Sequence, residues 1–155
     1  MRVTTNQEMR MSMGKKILMI DDDVNLTNVF RLVCAAKGYD FEAAHSAAEG
    51  LRKITEVSPD VIILDVIMED FVAGFRVLSE LRAGGPGSPY EAHSTVPVIM
   101  LTSVTSRTHV NFNEMVGTAL LPVDAFIEKP VKPGDILSII EKSLSSARQS
   151  GTQGQ

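Results

Sequence analysis

Cysteine is almost absent. Cys34 stands alone in 155 residues, so no internal disulfide can form. Its neighbours Val33, Ala35 and Ala36 make it a buried thiol, which fits a reducing compartment. Long apolar runs are missing too: none approaches the ~20 residues that a membrane helix needs. The first sixteen residues hold no apolar h-region, so no secretory signal is expected there. An excess of positive charge is also missing. Fifteen Lys and Arg stand against nineteen Asp and Glu, a formal net charge of −4, which argues against a general nucleic-acid binder. No internal repeat is visible. His45, His93 and His109 show no ligand spacing and receive no role. What is present is 44% hydrophobic residues, enough for a core, over a length that suits one domain. The expectation is a single cytoplasmic domain.

Residues 1–14 are polar, with four methionines and no period; they are expected to be a flexible arm. The folded domain is expected over 15–146, and a flexible polar tail over 147–155. Ile17-Leu18-Met19-Ile20 and Val61-Ile62-Ile63-Leu64 are short continuous apolar runs, the mark of strands buried on both faces. Tyr39–Ala44, Val96–Leu101 and Ala125–Glu128 complete five strands, with Pro97 near the start of its strand. Between them lie helical spacings: Leu26, Val29, Phe30, Val33 and Cys34 in one segment, then Leu51, Ile54 and Val57, then Phe75, Leu78 and Leu81. Ser46 with Glu49 forms a capping box. Residues 103–117 read as a weak fourth helix. Pro133 opens a last helix carrying Ile136, Leu137, Ile139, Ile140 and Leu144. The stretch 83–95 is rich in Gly, Pro and Ser and reads as a mobile loop, with Tyr90 solvated. Strands alternating with helices demand right-handed crossovers and a parallel sheet with helices on both faces.

In a parallel sheet all strands end on one edge, where ligands bind in open α/β folds. That edge receives Asp21, Asp22 and Asp23 from the first strand, Asp65 from the third, Thr102 from the fourth and Lys129 from the fifth. Each alone has an ordinary reading. Three Asp in a row favour a helix N-terminus, and an Asp after a strand caps a turn. Together they form a cluster of carboxylates that repel one another and call for a cation. Oxygen-only ligands select a hard ion, and Mg²⁺ needs only one or two carboxylates beside phosphate oxygens. A carboxylate so placed can attack phosphorus; a hydroxyl and an ammonium can take the developing charge.

The runs Ile17–Asp23, Val61–Asp65 with Met68, Met100-Leu101-Thr102-Ser103 and Glu128-Lys129-Pro130 resemble the receiver domain of two-component response regulators, from about Lys16 to about Ser145. The resemblance implies a flavodoxin-like, doubly wound fold of five parallel strands in the order 2-1-3-4-5, with five helices on its two faces. It implies that Asp65 is the phosphoacceptor. Asp22 is then the direct ligand of Mg²⁺ (or Mn²⁺), Asp21 holds the ion through water, and Asp65 and the backbone carbonyl of Ile67 complete the protein's share. Thr102 becomes the switch hydroxyl, with Ser103 beside it small enough to admit a phosphoryl group. Lys129 pairs with that group, and the Lys129–Pro130 bond is cis. Phe126 matches the switch aromatic, acting through packing since it lacks a hydroxyl; the plain alternative for it is core. Asp23 is left as a cap. Implied partners are a sensor histidine kinase or a His-phosphotransfer protein, and a downstream protein target. The resemblance also allows a phosphorylation-dependent dimer through the face made by the fourth helix, the fifth strand and the last helix. Neither nucleic acid nor membrane is expected within this chain. Taken as a complete product, it reads as a stand-alone signalling module, not an enzyme.

Departures from the family pattern are Glu69 where Pro is usual, Ser103 in place of Ala, and long stretches at 83–95 and 103–124. Two other readings stand beside this one. Asp21-x-Asp23 after a buried strand is similar to the first motif of haloacid-dehalogenase-type phosphohydrolases, with Asp21 as nucleophile and Asp23 as acid/base. A pseudo-receiver that binds partners without phosphorylation is the other.

Overall fold

The buried apolar runs form strands and the periodic segments form helices. The structure is a computed structural model that describes residues 14–68, 73–102 and 123–152, the last six of these as backbone only. Five strands, β1 (Lys16–Ile20), β2 (Asp40–Ala44), β3 (Val61–Asp65), β4 (Val98–Thr102) and β5 (Ala125–Glu128), make one sheet in the order β2-β1-β3-β4-β5. Every pairing is parallel. β3 and β4 are buried at every position and β1 at four of five, because helices cover both faces. Pro97 precedes β4, where its missing N–H costs no ladder bond, and its carbonyl accepts from Ile62 N at 2.9 Å.

Side-chain alternation splits the core in two. Leu18, Ile20, Ile62, Leu64, Val98 and Met100 face one layer; Ile17, Met19, Val61, Ile63, Ile99 and Leu101 face the other. Among the described residues four α-helices cover them: α1 (Val24–Ala36), α2 (Ala47–Val57), α3 (Ala73–Arg82) and α4 (Pro133–Thr152). The helix expected over 103–117 lies outside the described residues, as does the arm over 1–13.

The structure corrects several readings. Val29 is 44% exposed, because α1 buries the narrower face formed by Thr27, Phe30 and Cys34. The last helix continues to Thr152, past the end of its apolar stripe. The 83–95 stretch contains a 3₁₀ turn, Glu91–His93, and is tied down. Arg82 Nη1 donates to the carbonyls of Ser94 (2.9 Å) and Val96 (2.7 Å), and Tyr90 is half-buried against the core instead of solvated.

The edge strand β2 is closed from both sides. Asp40 N donates to Lys15 O and Asp21 N to Ala44 O, so even-numbered residues face β1. The carbonyls of Phe41 and Ala43 therefore point outward. Arg31 from α1 donates to Phe41 O at 3.4 Å while lying over the Phe41 ring at 5.2 Å from its centroid. Lys53 from α2 donates to Ala43 O at 2.6 Å. Cations on an edge discourage addition of a further strand.

Candidate functional site

Asp21 follows β1 and is completely buried. Its main chain is seated on the end of β2 by the 2.9 Å bond from Asp21 N to Ala44 O. Both carboxylate oxygens are engaged: Oδ1 accepts from Asp23 N at 2.9 Å and Oδ2 from Lys129 Nζ at 3.0 Å. Asp23 caps α1 by accepting from Leu26 N at 3.1 Å, the role that its position before a helical run suggested. Asp22, between them, is exposed.

Asp65 ends β3, and burial along that strand leaves its side chain 6% exposed. Its Oδ1 accepts from Ile67 N at 3.3 Å, and its Oδ2 lies 3.5 Å from Lys129 Nζ. Carboxylate oxygens of Asp21, Asp22 and Asp65 all lie within 4.8 Å of one another. Lys129 follows β5; Lys129 N donates to Thr102 O at 2.7 Å, so β4 places the lysine that reaches β1 and β3. The Lys129–Pro130 peptide is cis.

Among the described residues, Asp21 and Asp65 face the Lys129 ammonium, with the Asp22 carboxylate beside them. The Asp65 carboxyl is pushed up to about 7, first by burial, then by the charge of Asp21 and more weakly by Asp22; Lys129 and the Ile67 N–H oppose the shift. Burial acts to lower Lys129, and its bond and charge pairing with Asp21, then with Asp65, outweigh it and raise it. Desolvated acids with surplus negative charge are stabilised by a cation. The donors are all oxygen, and Asp22 leaves one side open to solvent. The residues present therefore fit a hard divalent ion, which the carboxylates of Asp21, Asp22 and Asp65 could hold between them.

Thr102 is fully buried at the end of β4, in register with Glu128 one residue before Lys129. Phe126 is half-buried on β5, opposite Met100, and packs against the core. Ile67 sits two residues past Asp65, tied to it by its N–H. Ser103 and Glu69 lie outside the described residues. The Asp21-as-nucleophile reading meets an obstacle: Asp21 is inaccessible with both oxygens occupied, and Asp23 is committed to its helix.

Two residues of the site are ones that sequence reasoning missed. His45 Nδ1 lies 3.1 Å from the Asp21 carbonyl oxygen. A lone His after an edge strand carries no spacing signal that marks this. Gly74, in the first turn of α3, lies so close to β3 that a Cβ there would strike Asp65 O and come 2.6 Å from Val66 Cα. The available signal was a Gly inside a helical pattern, which often marks close backbone approach.

Comparison with known proteins agrees with this geometry. A family model described as the response regulator receiver domain matches residues 17–141. The DNA-binding response regulator MtrA of Mycobacterium tuberculosis is 28% identical over 133 residues, which is 86% of this chain and 52% of that protein. The chain thus spans about half the length of that relative. Among solved structures, a CheY-like receiver domain protein from Methanospirillum hungatei superposes with a TM-score of 0.70 at 26% identity, covering 88% of this chain and 98% of the other. Chemotaxis protein CheY4 of Vibrio cholerae does so with a TM-score of 0.67 at 25% identity, over 84% and 98%.

Proposed function

The chain belongs to the response regulator receiver domains, the phosphoacceptor modules of two-component signalling, and on that premise we propose that Asp65 is its phosphoacceptor. The single observation that carries this is the meeting of Asp65 with Asp21, Asp22 and Lys129 inside one cluster, although they come from three strands.

The donor is a phosphohistidine on a sensor kinase or a His-phosphotransfer protein. A carboxylate oxygen of Asp65 forms the new P–O bond as the P–N bond breaks, and the leaving imidazole takes a proton. Asp21, Asp22, Asp65 and the Ile67 carbonyl would hold Mg²⁺ (or Mn²⁺), which neutralises phosphoryl charge and holds Asp65 in its ionised form. Lys129, placed by Thr102 O, pairs with a phosphoryl oxygen. Thr102, with Ser103 beside it, supplies the switch hydroxyl, and Phe126 follows by packing. The receiver unit spans residues 15–146 and works in the cytoplasm. It acts as a signalling switch rather than a conventional enzyme. Its output is a changed affinity for a downstream protein, or for a second copy through the face that includes β5 and α4.

The test is Mg²⁺-dependent labelling by a small phosphodonor such as acetyl phosphate, with the modified residue mapped by mass spectrometry. Label on Asp65, absent in Asp65→Asn, is expected. Label elsewhere, or none with Mg²⁺ present, refutes the assignment. The phosphohydrolase alternative predicts turnover of small phosphate esters, and the occupied oxygens of Asp21 speak against it.

A further inference from the structure

His45 follows β2 and stands outside every role assigned above, yet it touches the acidic site. A carbonyl oxygen can only accept, so the 3.1 Å contact with Asp21 O requires the proton on Nδ1. That carbonyl belongs to the same planar peptide unit as the Asp22 N–H. Holding the carbonyl therefore holds the plane from which the Asp22 Cα departs. Asp21 itself needs no such help, since its N–H and both carboxylate oxygens are bonded. Asp22 is different: it is the exposed member of the trio, so the placement of its carboxylate depends on the main chain beneath it.

The main chain of His45 is in turn anchored to α2. His45 N donates to Glu49 Oε2 at 3.3 Å, and that bond is the main reason the Glu49 carboxyl is held below its usual value. Lys53 Nζ lies 3.4 Å from Glu49 Oε1 and donates to Ala43 O at 2.6 Å. The capping box thus extends one residue outward, from α2 through His45 to the loop after β1.

We propose that His45 is a positioning residue for the divalent-cation site: its Nδ1–H fixes the peptide joining Asp21 and Asp22 and so presents the Asp22 carboxylate to the ion. This rests on the reading of Asp21, Asp22 and Asp65 as cation ligands. Groups that orient ligands from behind typically change metal affinity by about 10–100-fold when removed.

The test is calorimetric titration of the intact chain with Mg²⁺ alone. His45→Phe keeps a ring and removes the donor; His45→Ala removes both; His45→Asn returns an N–H near the place of Nδ1. Roughly tenfold weaker binding is expected for Phe and Ala, with Asn close to wild type. Melting temperatures of the metal-free variants are measured alongside. The inference is overturned if Phe and Ala bind as tightly as wild type. It is equally overturned if Asn is as weak as Phe, or if affinity loss follows melting temperature instead of the donor. Failure of the wild-type chain itself to bind Mg²⁺ overturns the cation site, and the role of His45 with it.

Discussion

Asp65 carries a cost in the folded protein that it does not carry in the unfolded chain. Its carboxyl is pushed up to about 7 by burial and by Asp21, against roughly 4 for a free side chain. Between those values the folded form binds more protons than the unfolded one. The contribution of Asp65 to metal-free stability therefore rises as pH falls from about 7 toward about 4, and is lowest above pH 7. Asp65→Asn removes that slope. In chelator-treated buffer at pH 8 the variant is expected to be more stable than wild type by about 1–3 kcal/mol, with the gap closing toward pH 4. Urea unfolding at pH 8 and pH 5 measures this; a variant that is weaker at pH 8, with a gap independent of pH, contradicts it. Asp21 offers the opposite case. Its replacement takes the side-chain acceptor from Asp23 N and leaves Lys129 Nζ with only the longer contact to Asp65.

Among the elements, α3 is held against β3 more tightly than its sequence suggests. Gly74 N donates to Val66 O at 2.9 Å, and a methyl group at Gly74 would meet the main chain of Asp65 and Val66. Backbone cannot rotate aside as a side-chain tip can. Gly74→Ala is expected to cost about 1–3 kcal/mol and to move the phosphoacceptor, so labelling of Asp65 slows while Mg²⁺-free unfolding comes earlier. Thermal melts together with labelling rates test both parts; an unchanged rate would show that the loop absorbs the shift. Gly50 makes a milder case, because the nearest atoms its Cβ would meet belong to the side chain of Ile20. At the far end of α3, Arg82 Nη1 bonds two carbonyls of the 83–96 stretch, and its Nη2 lies 3.6 Å from Asp124. Asp124 in turn accepts from Val98 N at 2.8 Å. A segment rich in Gly and Pro is thereby fastened to the starts of β4 and β5, on the edge away from the acidic cluster.

At the scale of the whole molecule, the cluster couples to stability because Asp65 lies more than forty residues along the chain from the Asp21–Asp22 pair. An ion held only by the folded arrangement stabilises it in proportion to the logarithm of its concentration. Raising Mg²⁺ from zero to about tenfold above its dissociation constant is expected to add about 1.4 kcal/mol, a melting shift of a few degrees. Asp22→Asn is expected to remove most of that shift while changing the metal-free melt little, since Asp22 is exposed. Scanning calorimetry with Mg²⁺ and with chelator decides it; an equal shift in the variant would place the ion elsewhere.

Much of this architecture was written in local pattern. Val61–Asp65 appears as a strand over the very residues that its apolar character marked, because a strand buried on both faces can hold little else; Ala125–Glu128, half-buried at the sheet edge, is a strand over the expected residues too. The meeting of Asp21, Asp65 and Lys129 followed from strand direction alone, since parallel neighbours end on one side. What pattern could not reach were contacts made by main-chain atoms between distant segments. The carbonyls of Asp21, Ala43, Ser94 and Val96 have no identity in a sequence, so nothing there marked His45, Lys53 or Arg82 as their partners. The closeness of Gly74 to β3 and the exposure of Val29 were likewise settled by how helices rest on the sheet. Composition and period chose the elements and their order; the distances between backbones, which only packing sets, decided which side chains hold the acidic site in shape.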